Sequence, residues 1–441
     1  MPPGALKSDS PFVVATGSTL VDASGTLCMT ITGLMGRCGM GRVRRRGLFL
    51  GGVLGLAVLL ITSCTSGGAE PTAAADTPKA TSSTKPAPPK KPVRLAVTPA
   101  DKAADVIPGN PVTIAAVDGR LTQVRLVNEQ GEQVRGQLSP DKTTWQATEP
   151  LGFGKTYTAT ATGLGTDEKR ATVRSVFTTI TPRLKADVSM NPLDGQTVGV
   201  GQPLAFYFDV NIENKAAVEK AIQIATSPHT DGAFYWFDDS EVHWRPKTYW
   251  APGTKVTINA AIYGKDFGNG VFGNDSRVAN ITIGKSIVAT ADGGTHQMTV
   301  TVNGKVARTI PISMGKPGHE TPTGTYVVMS EHTNYTMDSS TYGVPVDSSA
   351  GYRTTVAVAS RMSNSGIFYH SAPWSVGDQG HRNVSHGCIN MTTENAAWLQ
   401  SISQKGDVIT VKNSGGPVLE SWDGLGDWQI PWATWSKGGK R

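Results

Sequence analysis

The sequence predicts a mostly β protein: two β-sandwich modules followed by a third β-rich domain with one or two short helices. Three observations carry this. The chain has 441 residues, too many for one ordinary domain and enough for roughly three. Charged residues make up 17% and aromatics 7%, a profile that suits β-rich modules better than a helical bundle. From Val93 onward, short alternating apolar runs are broken by turn residues, the pattern of half-buried strands.

Residues 1–63 read as a signal region. Arg42-Val43-Arg44-Arg45-Arg46 is its positive segment, and Leu48 to Ile61 is an apolar stretch of signal-peptide length, short of the ~20 residues of a membrane span. It ends in Ile61-Thr62-Ser63-Cys64, which resembles a bacterial lipobox. That resemblance implies cleavage before Cys64, a lipid on its thiol, and a chain tethered to the outer face of the cytoplasmic membrane. An uncleaved anchor is the alternative. Residues 1–39 follow no targeting logic, and Met40 would make the more natural start. Six basic residues and two acids fall ahead of Cys64, so most of the formal charge of +6 goes with them. The nearly neutral remainder gives no electrostatic case for a nucleic-acid partner.

Residues 64–92 are Ala, Thr, Ser, Pro and Lys around the lipidated cysteine, with almost nothing to bury, and read as a linker. Residues 93–182 hold candidate strands at Val112-Thr113-Ile114, Val124-Arg125-Leu126 and Tyr157-Thr158-Ala159-Thr160, with turns at Asp118-Gly119 and around Gly154. A β-sandwich of immunoglobulin-like architecture without a disulfide is expected. Residues 183–284 repeat the style, with strands at Leu204 to Phe208 and Val256 to Ile258 and a short helix from Ala216 to Ile222. From Lys285 the texture shifts. Asn303-Gly304 joins two apolar runs as a two-residue hairpin turn, Thr392 to Gln404 has helical spacing, and Val408 to Val411 closes the domain near Asn413. The extension 414–441 holds Trp422, Trp428, Trp432 and Trp435. So many indoles would not stay solvated, and the segment is expected to pack back on another domain.

The four cysteines are Cys28, Cys38, Cys64 and Cys388. After processing at Cys64 only Cys388 keeps a free thiol, so no disulfide framework exists. Three of the eight histidines, His370, His381 and His386, lie beside it. A zinc site from these four residues matches no common ligand spacing, and a buried inert thiol fits poorly with the polar run Ser385-His386-Gly387-Cys388. The remaining reading is a nucleophile. An imidazole takes the thiol proton, and backbone amides freed by Gly387 stabilise an oxyanion. The residues alone leave His370 and His386 both open as the base.

Residues 285–413 resemble the catalytic domain of the L,D-transpeptidases, through His370-Ser371 followed by Ser385-His386-Gly387-Cys388-Ile389-Asn390, and through Thr321-Pro322-Thr323-Gly324. The preceding modules, lipobox and Trp-rich extension are similar to the family's multi-domain lipoproteins with two immunoglobulin-like domains. The resemblance implies Cys388 as nucleophile and His370 as base and acid, oriented by the backbone oxygen of Ser371, with His386 as a supporting neighbour. It places the Gly387 and Cys388 amides, joined by the Tyr352 hydroxyl, in the oxyanion hole. It puts Ser365, Gly366 and Asn390 in the substrate groove, and makes about Thr333 to Tyr352, with Met337, the lid. The implied reaction is peptidoglycan 3→3 cross-linking. A donor tetrapeptide stem acylates the cysteine with release of D-Ala, and a diamino-acid amine on a neighbouring stem captures the acyl group. No cofactor is required, and carbapenem-type β-lactams are the implied inhibitors. The subgroup's structural cation would fall at Asp266, Asn269 and Gly270, although Asn269 stands where a carboxylate would bind better and a plain turn reads more naturally. The alternatives are a cell-wall cysteine carboxypeptidase or endopeptidase, and a non-catalytic wall-binding lipoprotein. In the enzyme reading the sandwiches are expected to act mainly as spacers; in the wall-binding alternative they are the working part.

Overall fold

The computed structural model describes residues 89–440. The signal region, the Cys64 site and most of the linker lie outside them. In the first module one sheet orders the strands Arg94–Thr98, Thr113–Val117, Thr144–Ala147 and Gly136–Leu138, and the facing sheet orders Gly119–Asn128, Thr156–Gly165 and Arg170–Thr178. Burial alternates strictly along Thr156–Gly165, because successive side chains of a strand point to opposite faces. The buried set includes Ile114, Leu121, Leu126, Trp145, Tyr157 and Phe177. Asp118, at φ 61°, turns the chain from the first sheet to the second.

The second module stacks Thr197–Val198, Arg277–Ile283, Lys255–Ala260 and Ile222–Ser227 against Gly232–Trp236, Glu241–Pro246, Leu204–Phe208 and Val188–Asn191. The short helix runs Lys215–Ala221, capped by the Asn214 side chain accepting from Ala217 N–H, the usual device for satisfying a free helical amide.

The third domain has a five-stranded sheet in the order Lys305–Pro311, Gln297–Val302, Ile287–Asp292, Val408–Lys412, Gly324–Val327. Asn303 and Gly304 both take positive φ at the hairpin tip, as a two-residue turn matched to strand twist requires. A second sheet orders Ser330–Asp338, Arg353–Arg361, Phe368–Ser371 and Ile389–Met391. Helix Thr393–Ile402, capped by Thr392, buries Ala396 and Leu399 against the Arg353–Arg361 and Phe368–Ser371 strands. The final pairing of the second sheet is parallel, Tyr369 opposite Ile389 and His370 opposite Asn390.

The extension packs on two neighbours. The Trp428 indole donates to Gly201 O at 2.7 Å and the Trp435 indole to Ala233 O at 2.8 Å, both in the second module. Trp435 stacks on Tyr235, and Arg245 lies against the rings of Trp428, Trp432 and Trp435. On the catalytic side Leu419 N–H donates to Thr323 O. Trp422 alone of the four stays largely exposed. Gly199 and Gly201 of the second module donate to Lys405 O and Gly406 O, and Val408 is buried in the second module's core. The second sandwich thus shares buried side chains with the third domain.

Candidate active site

The parallel pairing of His370 with Asn390 sets the site. Cys388 sits in the bend that leads into the Asn390 strand, beside the strand that carries His370. Both line a cavity of about 300 Å³ with Met337, Tyr352, Trp374 and His386. His370 Nδ1–H donates to Ser371 O at 3.0 Å, which leaves Nε2 as the basic nitrogen. Ser371 is itself pinned by Val358 N–H donating to its hydroxyl. Burial pushes the His370 imidazole down to about 4, so it stands neutral at physiological pH.

Burial also pushes the Cys388 thiol up to about 12, against the opposing effect of the Phe368 amide. The thiol donates to Gly366 O at 3.4 Å. Both shifts act in the same sense: the low-dielectric pocket disfavours each isolated charge, so the resting pair is neutral imidazole and thiol. Met337, Val356, Ala359 and Phe368 pack with Cys388 in a small apolar cluster, and Tyr335, Tyr342 and Tyr352 close on it.

The turn that presents the thiol is tied from within. Gly387 sits at φ +123°, where a side chain is strained, and a Cβ there would lie 3.0 Å from Ile367 Cδ1. Its N–H donates to Ser385 Oγ at 3.0 Å, and that hydroxyl donates to Cys388 O at 2.6 Å. Thr321 donates to Gly387 O at 2.7 Å. The Gly387 amide, expected in the oxyanion hole, here donates to Ser385 Oγ. Among the described residues the Cys388 N–H carries no hydrogen bond, so it is the amide left free.

The other expected residues divide. Met337, Tyr352, His386 and Asn390 all line the cavity. His386 Nε2 lies 3.1 Å from Lys316 Nζ, and its ring meets His319 edge-on at 5.0 Å. Burial, then Lys316 and His319, lower its pKa. Asn390 donates to Ser375 Oγ, while its buried Oδ1 has no partner. Ser365 and Gly366 are not among the residues lining this cavity. Ser365 is bonded to Asp423 of the extension, and the Gly366 carbonyl receives the thiol. The lid is also more regular than expected. Ser330–Asp338 is a strand paired antiparallel with Arg353–Arg361, so only the tip from Ser339 to Tyr352 departs from strand geometry.

The expected cation loop is a hydrogen-bonded turn. Asp266 Oδ1 accepts from Gly268 N–H, the Asn269 carbonyl accepts from Arg183 Nε, and the Gly270 carbonyl accepts from the Arg183 and Leu184 amides. Among the described residues no three His, Cys, Asp or Glu side chains gather as a metal site. Trp374, Ser375 and Asp423 are site residues that the sequence reading missed. Trp374 follows His370 closely in sequence, which was a usable signal. Asp423 carried none.

Comparison with known proteins decides the family. Residues 286–411 match the model of the L,D-transpeptidase catalytic domain, and 103–266 match that of a bacterial Ig domain. L,D-transpeptidase 2 of Mycobacterium tuberculosis (strain CDC 1551 / Oshkosh) is 47% identical over 345 residues, covering 78% of this chain and 84% of that one. The chain belongs to the L,D-transpeptidase family. L,D-transpeptidase 5 of M. tuberculosis (strain H37Rv) is 36% identical over 356 residues, covering 79% of this chain and 77% of that one. Among solved structures, the L,D-transpeptidase LdtMt1 in complex with imipenem is 38% identical, covering 52% of this chain and 100% of that one at a TM-score of 0.46. The protein is accordingly a peptidoglycan acyltransferase of the cell envelope. The two sandwiches and the β-rich catalytic domain are those expected from its sequence.

Proposed function

We propose that Cys388 is the nucleophile and His370 the base and acid of a 3→3 cross-linking reaction. The observation that supports this best is the fixed tautomer of His370: Nδ1–H on Ser371 O leaves Nε2 free in the cavity it shares with Cys388. The thiol leaves Gly366 O, gives its proton to Nε2, and attacks the carbonyl of the third stem residue. The negative charge on that oxygen is met by the free Cys388 amide and the Tyr352 hydroxyl. The imidazolium then protonates the departing amine, the C–N bond breaks, and D-Ala leaves a thioester behind. The acceptor amine attacks the thioester, His370 takes its proton, and the thiol returns.

The neutral resting pair makes the ion pair dependent on substrate. Thiolate and imidazolium offset each other's charge only when formed together in a site cleared of water. Asn390 Oδ1, buried without a partner, supplies an acceptor for a stem amide, since an unmet buried acceptor costs free energy until a donor arrives. The same thiolate opens a β-lactam ring by acylation, which makes carbapenem-type compounds inhibitors. The lipidated Cys64 would hold the enzyme at the membrane, within reach of the stems above it. Acid-quenching the protein with a disaccharide-tetrapeptide tests the chemistry. An adduct of the disaccharide-tripeptide acyl mass on Cys388 with equimolar D-Ala is expected, and D-Ala release without that adduct contradicts it.

A further inference from the structure

The Gly366 carbonyl that receives the Cys388 thiol belongs to a short loop, Ser363 to Gly366, held by hydrogen bonds from outside the catalytic signature. Ser365 N–H donates to Asp423 Oδ1 at 2.8 Å and Ser365 Oγ to Asp423 Oδ2 at 2.5 Å. Ser363 Oγ lies 2.9 Å from Ser365 Oγ and accepts from Ile367 N–H at 3.1 Å. Asp423 is 5% exposed, so both carboxylate oxygens are spent on one serine in a place where water cannot substitute. Close approach is built in on both sides. Gly424, at φ +79°, comes so near that a Cβ there would meet Met329 Sδ at 2.7 Å and Ser363 Cα at 3.1 Å. Gly366, at φ +93°, has Tyr342 ring atoms 2.7 Å from where its Cβ would be.

We infer that Asp423 is a positioning residue for the nucleophile: by clamping Ser365 it fixes the Gly366 carbonyl, which stores Cys388 as a protonated thiol in one rotamer until substrate displaces it. The inference rests on the reading of Cys388 as nucleophile. Its physical content is that a carbonyl oxygen can accept from a thiol but can only repel a thiolate. A rigid Gly366 oxygen therefore keeps the unreactive form in place, protected from oxidation and stray electrophiles. The C-terminal extension thereby does more than cover the second sandwich: it reaches the reacting atom through two residues.

The test is the pH profile of Cys388 alkylation by iodoacetamide in the full chain, with the adduct located on the peptide holding Cys388. Asp423→Ala leaves the Ser365 amide without an acceptor and turns the Ser365 hydroxyl to Ser363 Oγ. The alkylation profile should move to lower pH, with the neutral-pH rate up about tenfold for a one-unit move, while kcat on the stem peptide falls. Asp423→Asn keeps an acceptor for the Ser365 amide and should return most of the way to wild type, which simple loss of packing would not produce. A folded Asp423→Ala whose alkylation profile coincides with wild type overturns the inference, as does an Asn variant that behaves like Ala. Should Asp423→Ala fail to fold, Ser365→Ala, which removes the hydroxyl half of the clamp, decides: a smaller shift in the same direction is expected, and none overturns it. The nucleophile reading fails separately, if Cys388→Ala still forms cross-links.

Discussion

His243 and Asp427 join the second sandwich to the C-terminal extension, and their pairing makes the stability of that junction depend on pH in a defined direction. His243 Nδ1 lies 2.8 Å from Asp427 Oδ1, with the two side chains 1% and 0% exposed. Burial opposes a charge on the imidazole, but Asp427 and Glu241 outweigh it and raise the group to about 9 from 6.5. A raised folded-state value means that the stabilisation is complete below about 6.5 and is lost as pH rises through about 9. At ~1.36 kcal/mol per unit, the pair contributes about 3 kcal/mol at pH 6 that is absent by pH 10. At an unfolding entropy of ~2.1 cal/mol/K per residue, that corresponds to a Tm lower by roughly 3–4 °C. Thermal melts of wild type and His243→Gln at pH 6 and pH 10 measure it. The variant should be less stable by roughly 3–5 kcal/mol at pH 6, because it leaves Asp427 buried and unpaired, and its alkaline drop should be smaller than wild type's by about the same 3 kcal/mol. Equal drops in the two proteins would refute the reasoning.

Three further outcomes follow from the site. The acid limb of kcat/KM, which reports the free enzyme's base, should fall near pH 4 instead of 6.5, because burial lowers His370 and the neutral form persists down to that pH; a limb near 6.5 would point to a solvated base. Tyr352→Phe should lower kcat roughly 10²-fold with little change in Tm, if its hydroxyl meets the oxyanion; unchanged kcat in stem-peptide assays removes it from that role. Gly387→Ala should cost about 1–3 kcal/mol from the left-handed backbone and abolish acylation by moving the Cys388 amide, both read from a melt and an intact-mass assay.

How much of this was legible in the sequence differs by element. The sandwiches were, because alternation along runs such as Thr156 to Gly165 is a local signal that the folded strand reproduces residue by residue. The candidate nucleophile was marked in the sequence, because Cys388 is the one cysteine after Cys64 and a six-residue signature surrounds it. The commitment of the Gly387 amide was not: Ser385 and Gly387 are two residues apart, and only the backbone path decides whether that amide faces the turn or the cavity. Asp423 was not, since its partner Ser365 lies 58 positions away and nothing local marks the contact. The shared burial between the second sandwich and the catalytic domain was hidden for the same reason. Val408 reads as one more strand residue, and only the tertiary fold places it in the other module's core.

The central claim is that the Cys388 thiol carries the acyl group between two stems. Incubating the protein with a disaccharide-tetrapeptide and sequencing the product by tandem mass spectrometry tests it most directly. The account predicts a dimer joined between two third-position residues and lighter by D-Ala, and none with Cys388→Ala. A Cys388→Ala protein that still forms the dimer would contradict it.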